Sequence, residues 1–367
     1  MNGIFVKRHA AANTIDCHVS AIFICSADSN SIEESIEDGI HTIRGYYTSP
    51  NLKIFPFYQT GKLIRYFSLW KKALLLYKTK HGKPDLVNSN IVYPVSIIAT
   101  GLKFFWKVPY IITEHWTGYF PEDGRYNGFA KKIIAKIAVA HAEAVVTVSH
   151  KLSSRMNELG LKNNYFVIPN VVDPEVFKLK AEAKEDSFNF THISSLDNAQ
   201  KNITGIIRAF KKFQIAYPLS ILTIIGDIDT REFREETKNL LNDARGINLL
   251  RSKEGTELAK FLQKADAFLL FSNYENLPVV MLESFMCGIP VIATRVGDIP
   301  EYINTKNGML VDSNNEEQLL QAMKEIYSHR ANYNPIEIRN MVLNKVSPIA
   351  ISRQFTDIYR RVLKNKF

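Results

Sequence analysis

The chain has 367 residues, enough for two domains at roughly 150 residues each. Hydrophobic residues make up 46% and charged residues 23%, a globular mix that excludes a disordered or fibrous chain. Three cysteines without CxxC spacing exclude a disulfide framework or a zinc site and predict the reducing cytoplasm, while the lack of any run of about 20 apolar residues and of a signal-peptide pattern predicts no membrane span and no export.

Short β-branched runs alternate with longer helical patterns. Strands are predicted over Ala21–Ser26, Tyr110–Glu114, Ala144–Ser149 and Tyr165–Ile168. A second series follows at Asn189–Ser194, Ile221–Ile225, Ala267–Phe271 and Pro290–Ala293. Helical periodicity fills the intervals, as in Phe129–His141, Asn202–Ile215, Glu254–Ala265 and Glu316–Ser328. Strand–helix alternation of this kind implies parallel sheets covered on both faces. The pattern stops near residues 171–187, where a charged run from Lys178 to Asp186 reads as a linker. The fold class is therefore α/β, with an N-terminal domain over 1–172 and a second over 173–348. A last helical pattern spans Ile349–Leu363.

Net charge is +9, but residues 51–136 hold 14 Lys/Arg against 4 Asp/Glu, a local +10 that leaves the remainder near neutral. Basic residues sit beside aromatics in Tyr66, Phe67, Trp70, Lys71, Lys72 and in Lys103, Phe104, Phe105, Trp106, Lys107. Two readings stay open. The aromatics belong to the core and the lysines are merely solvated. Alternatively the stripe binds an anionic membrane surface, with Lys71, Lys72, Lys103, Lys107, Lys131 and Lys132 facing lipid and Trp70 and Trp106 as interfacial anchors. Nucleic acid is the weaker partner class, and none is expected.

In open α/β sheets, ligands bind outside the carboxyl ends of the strands, so the loops there carry the chemistry. After Ala267–Phe271 comes a polar loop, Ser272–Pro278, and then a helix from Val279 that ends before Gly288. Unpaired amides of Val279 and Val280 make that helix start an anion site, and Glu283 one turn further in suits the two hydroxyls of a ribose. Glu275, before the helix, suits a second sugar. The alternative is a capped helix with two surface glutamates. In Ser194–Asn202, Lys201 at a helix entry can neutralise a diphosphate, or is simply solvated. Gly226 offers bare backbone for close approach, or a plain turn. His115 follows Tyr110–Glu114 and is either structural or a hydrogen-bond partner of a sugar. No Walker A, GxGxxG after a strand, GxSxG or clustered metal ligands occur.

In this order and spacing the segments resemble the GT-B retaining glycosyltransferases of glycosyltransferase family 4. AVVTVSHKLSSRMNELG and FVIPNVVDPEVF resemble the end of the family's first domain, SSLDNAQKN with Gly226 its diphosphate region, and Glu275–Pro278 with Glu283, Gly288 and Pro290 its glutamate signature. The resemblance implies two Rossmann-like domains facing across a cleft, with the C-terminal helix 349–367 packed back onto the first domain. It assigns Glu283 to the ribose, Glu275 and the backbone of Asn276 and Leu277 to the transferred sugar, and the Val279 and Val280 amides with Lys201 to the diphosphate. His115 touches the sugar from the first domain, and the base lies near Arg251–Lys253, at Ser252. Catalysis is then expected from His115, Lys201 and Glu275, with no metal and no cofactor beyond the nucleotide sugar as substrate. The implied reaction moves a hexose, with retention, to a glycan or lipid-linked acceptor in bacterial cell-surface polysaccharide synthesis, at the inner face of the membrane. A non-hydrolysing nucleotide-sugar epimerase and an inactive sugar-nucleotide-binding relative are the rival readings. Two departures stand out. Ser195 occupies the place of a common arginine. The opening MNGIFVKRHA resembles the segment after the family's first strand, so that strand is expected to be missing and Gly3 to end an acceptor-side loop.

Overall fold

The computed structural model describes residues 4–48, 57–180, 187–242 and 244–364, and the side chains of 57–59 are outside that description. Gly3 lies outside it too, as do residues 51–56 of the basic stripe.

The first half opens on helix α1 (Ile4–Asn13) and strands β1 (Ser20–Ser26), β2 (Ser31–Glu37) and β3 (Ile40–Tyr47). Then come α2 (Phe57–His81), β4 (Val87–Asn90), α3 (Ser96–Trp106), β5 (Tyr110–Glu114), α4 (Phe129–His141), β6 (Ala144–Thr147), α5 (His150–Glu158) and β7 (Tyr165–Val167). Its strands form two sheets, β1-β3-β2 and β4-β5-β6-β7. Among the described residues, β1 pairs only with β3 and β4 only with β5. The expectation of purely parallel sheets fails at β2, which runs antiparallel to β3. Asp38 and Gly39, both with positive φ, make the two-residue turn between them.

The second half comprises β8 (Asn189–Ile193), α6 (Asn198–Lys201), α7 (Ile203–Ala216), β9 (Ile221–Gly226), α8 (Arg231–Leu241), β10 (Ile247–Arg251) and α9 (Gly255–Leu262). β11 (Ala267–Leu270), α10 (Val279–Met286), β12 (Val291–Thr294), β13 (Gly308–Val311) and α11 (Glu316–Ser328) follow. All six strands form one parallel sheet in the order β10-β9-β8-β11-β12-β13. Both its faces are buried, which is why β11 reads as an unbroken apolar run. Phe268 and Leu270 pack under α10, while Ala267, Leu269 and Phe271 pack toward α7 and α11. The strand order reverses between β8 and β11, so the loops after these two strands diverge and leave a crevice.

Two further helices, α12 (Pro335–Val346) and α13 (Pro348–Lys364), end the chain's described part. α12 packs on α10, but α13 returns to the first half and lies against α1. Its Ile351, Phe355, Ile358 and Val362 share a core with Ala12, Ile111, Ala144, Val146 and Val171. One residue on, Val172 belongs to the core of the second half, so the chain changes cores between two adjacent valines.

Phe355 is fully buried in that returning helix, its ring 5.4 Å from His9. Phe355→Ala is expected to cost about 3–5 kcal/mol in denaturant unfolding, as other buried phenylalanine truncations do. Ile349→Ala, at an exposed site on the same helix, should stay within about 0.5 kcal/mol of the parent.

Candidate active site

The loop after β8 and the loop after β11 meet at the reversal point. Three hydrogen bonds lace them together: Asn273 N to Gln200 O at 2.7 Å, Asn273 Nδ2 to Ala199 O at 2.9 Å and Gln200 Nε2 to Tyr274 O at 3.3 Å. Lys201, the last residue of α6, thereby reaches Glu275, and its Nζ donates to Glu275 Oε1. Ser272 Oγ donates to the same oxygen at 2.8 Å. Both side chains of the ion pair are largely withdrawn from solvent. α10 then starts at Val279 with Pro278 as its N-cap, which supplies no side-chain acceptor. Leu277 is buried in the core beneath, and Val279 and Val280 occupy the first turn.

Glu283 lies one turn into α10 and is only 2% exposed. Arg8 of α1, from the other half, donates from Nη1 to its Oε1 at 2.6 Å and stands over the Phe177 ring at 5.5 Å. Burial pushes the Glu283 carboxyl above its ordinary value, and the Arg8 charge opposes that shift.

His115 follows β5. Its ring is packed by Phe5 at 4.5 Å and His9 at 5.3 Å, and both ring nitrogens are withdrawn from solvent. Burial first, then the neighbouring His9, hold it well below the ordinary histidine value, so the imidazole is neutral. The main chain here is pinned by Glu114, whose buried carboxylate accepts from the amides of Val92 at 2.8 Å and of His115 and Trp116 at 2.9 Å, and from Tyr119 Oη at 3.0 Å. Asn276 bridges the halves: Ser149 Oγ donates to its Oδ1, and its Nδ2 donates to His115 O at 3.3 Å. The site is thus a set of buried carboxylates, each met by a cation or several donors, around a helix N-terminus at the carboxyl ends of parallel strands. Among the described residues, no cluster of three or more His, Cys, Asp or Glu side chains is arranged to hold a metal ion.

Two family models match the chain in tandem: Glycosyltransferase Family 4 over residues 8–176 and Glycosyl transferases group 1 over residues 173–340. The chain belongs to the GT-B glycosyltransferases. N-acetyl-alpha-D-glucosaminyl L-malate synthase of Bacillus anthracis is 28% identical over 247 residues, 63% of each chain. Sucrose-phosphate synthase of Thermosynechococcus elongatus has the same fold at TM-score 0.79 and 19% identity, covering 100% of this chain and 94% of that one. Anabaena HepE in complex with UDP-glucose shares it at TM-score 0.69 and 14% identity, covering 94% and 100%. The aligned stretches span 66, 64 and 63% of the length of three curated relatives.

In this chain Glu275, Asn276, Lys201 and the start of α10 come together at one crevice, with Glu283 behind them and His115 joined through Asn276. Gly226 ends β9, next to the loop that carries Lys201. A side chain there would place Cβ 2.2 Å from Ser194 O and 2.5 Å from Leu196 Cγ, so only glycine fits against the neighbouring strand end. Ser252 stands apart on an exposed loop, donating to Asp227 Oδ1 at 2.5 Å, beside the Arg251–Asp229 ion pair at 2.7 Å. Ser195 is exposed. A cavity of about 480 Å³ lined by Asn189, Ile221 and Ile247 opens at the opposite, amino ends of β8, β9 and β10.

Several residues of the site escape a reading of the sequence. Arg8 and Glu283 are 275 residues apart, and nothing local marks them as partners. Glu114 reads as the end of a strand. Asp298 accepts from the amides of His150 and Lys151, the latter at 2.9 Å, and so caps α5 from across the domain boundary. In the Arg8–Glu283 and Asp298 contacts a side chain reaches across a long stretch of chain, and only tertiary structure brings the partners together.

His9 and His192, like His115, are buried and neutral; burial lowers the first two from 6.5 to about 4. The unfolded chain therefore takes up these protons first as pH falls. Their stabilising effect is complete above 6.5 and is lost progressively down to about 4. The unfolding free energy from urea titrations should be flat just above that window and fall within it by about 1.4 kcal/mol per pH unit for each histidine. A free energy unchanged across the window would show that the histidines are charged or solvated in the native state.

Proposed function

We propose that the chain transfers a hexose from a nucleoside diphosphate sugar to a hydroxyl of a glycan or lipid-linked acceptor, with retention, in cell-surface polysaccharide synthesis. The observation that carries this reading is the pair Glu275 and Glu283, buried on either side of the uncapped start of α10 and held by Lys201 and Arg8. An elongated dianionic ligand with a sugar at each end fits that order of groups. The HepE complex with UDP-glucose, on the same fold, supports the ligand class.

Under this reading the Val279 and Val280 amides and the Lys201 ammonium take the diphosphate. Glu283 accepts from the ribose hydroxyls, and Glu275 with the backbone of Asn276 and Leu277 holds the transferred sugar. Neutral His115 donates to that sugar's oxygen rather than protonating it. The base stacks near Ser252. The bond from the anomeric carbon to the diphosphate oxygen breaks, and the acceptor oxygen bonds to the same face. Its proton passes to the departing phosphate. Catalysis is then positioning and stabilisation of the leaving diphosphate by fixed charge. An epimerase would need an acid and a base flanking one sugar carbon, whereas the carboxylates here are engaged by cations. Conversion of donor without acceptor, followed by NMR, would favour that rival. Binding of donor with neither conversion nor transfer would favour an inactive relative.

Glu283→Ala, which deletes charge-assisted bonds worth about 1.5–3 kcal/mol each, should weaken donor binding by about ten-fold or more in calorimetry. Unchanged affinity would remove Glu283 from the ribose. Lys201→Ala should lower turnover more than it lowers donor affinity, because charge on the leaving group grows in the transition state. Turnover should also survive excess chelator, since Lys201 and the α10 amides supply the positive charge. Loss of turnover restored by magnesium or manganese would overturn the metal-independent mechanism.

A further inference from the structure

The aromatic and basic residues of the first half do not form the surface their sequence order suggests. Trp70 is 7% exposed and belongs to the core under α2. Trp106 lies beneath Lys78, at 5.0 Å. Lys103 is spent on Glu143 and on the carbonyl of His141, both at 2.7 Å. Neither tryptophan is placed as a lipid anchor.

A different apolar face is open. Phe129, Ile133 and Ile137 recur every four residues along α4, and all three side chains face solvent, Phe129 at 82% exposure. The end of α3 extends the face with Phe104 and with Phe105 at 86%. The two helices are joined there, since Phe104 packs on His141 at 5.2 Å and Lys103 bonds the His141 carbonyl. Exposed Lys107, Lys132 and Lys136 flank the stripe, and neither α3 nor α4 contains an acidic residue. No described helix is long and apolar enough to cross a membrane.

We propose that this α3–α4 face docks the protein on an anionic lipid leaflet, with Phe105, Phe129, Ile133 and Ile137 entering the interface and Lys107, Lys132 and Lys136 meeting headgroups. Contiguous apolar side chains rimmed by polar ones mark an interaction surface. The charge selects the partner: a second copy meeting the same face about a two-fold axis would oppose lysine to lysine, whereas an anionic headgroup layer complements them. The location suits the proposed reaction. Lys131, in the first turn of α4, stands over Trp116 at 4.2 Å, and Trp116 adjoins His115. A docked α4 therefore holds the leaflet beside the mouth of the cleft, where a lipid-linked acceptor is presented. The inference rests on the proposed function only for that last point; docking itself is read without turnover.

The full chain is to be co-sedimented with vesicles of phosphatidylcholine alone and of phosphatidylcholine with about one third phosphatidylglycerol. It should bind the anionic vesicles, less so as salt rises, and bind the neutral ones weakly. Lys132→Glu with Lys136→Glu should reduce binding about ten-fold or more, and Phe105→Ser with Phe129→Ser by a similar factor. Ile215→Ser with Leu219→Ser, at exposed sites on the second half, should change nothing. Thermal shift with UDP-glucose checks that each variant remains folded and keeps the response of the parent. No binding to anionic vesicles, or binding that the α3–α4 variants leave intact, overturns the proposal. So does a self-association, seen by sedimentation equilibrium, that Phe129→Ser abolishes. Absence of vesicle binding with the UDP-glucose response retained would sink docking and leave the donor reading standing.

Discussion

A carboxylate withdrawn from water needs a cation or several donors within hydrogen-bond reach, and that requirement organises this molecule. Glu283 is met by Arg8, from the first helix of the other half; Glu275 by Lys201, from the adjacent strand's loop; Glu114 by three amides and a tyrosine hydroxyl. The first pairing ties α1 to α10, the second ties α6 to the loop before α10, and the third pins the chain that leaves β5. Arg8 reaches Glu283 only because α1 is held on its far side by α13, which the second half sends back across the boundary. The strap and the ion pair therefore depend on one another. Loosening α13 frees α1 and leaves Glu283 buried without its counter-charge.

The same loops line the crevice and join the halves. Asn276 sits in the loop before α10 and also receives Ser149 Oγ and bonds His115 O. Asp298 follows β12 and caps α5 of the first half. Thr294, at the end of β12, donates to Ser272 O at 2.6 Å and so steadies the loop that carries Glu275. A shift of one half against the other is transmitted directly to the residues proposed to hold the donor. Coupling of domain position to ligand contact is thus built from a few hydrogen bonds and needs no separate relay.

What the sequence disclosed was what periodicity and strand ends encode. β5, α4 and α11 fall on their predicted residues, and the start of α10 at Val279 follows from a buried run, a polar loop and a proline. The misses have physical causes. β2 is an edge strand, SIEESIE, with three glutamates and two serines among seven residues, a polar composition that hides its β character, although the following Asp-Gly pair signals a hairpin. β4, β10 and β13 are only four or five residues long, so tertiary pairing rather than propensity makes them strands. Gly226 shows a constraint the sequence does not state: the neighbouring Ser194 carbonyl leaves no room for a Cβ there. Long-range partners such as Arg8 and Glu283 leave no mark in local sequence at all.

The charge of the first half makes the same point about surfaces. Counting residues gives a stretch at +10, but structure divides those lysines between internal and external work. Lys80 pairs with Glu34, Lys83 bonds the Trp106 carbonyl, Lys78 covers the Trp106 ring and Lys103 joins α3 to Glu143. Those contacts hold α2, α3 and their neighbours together and leave fewer cations for a distant partner than composition implies. On the α3–α4 face the deficit is offset by exposed apolar side chains. A surface of that kind combines short-range apolar transfer with a long-range attraction that ions screen. Added salt would therefore remove the attraction and leave the apolar transfer, so the two contributions are separable by ionic strength on one and the same face.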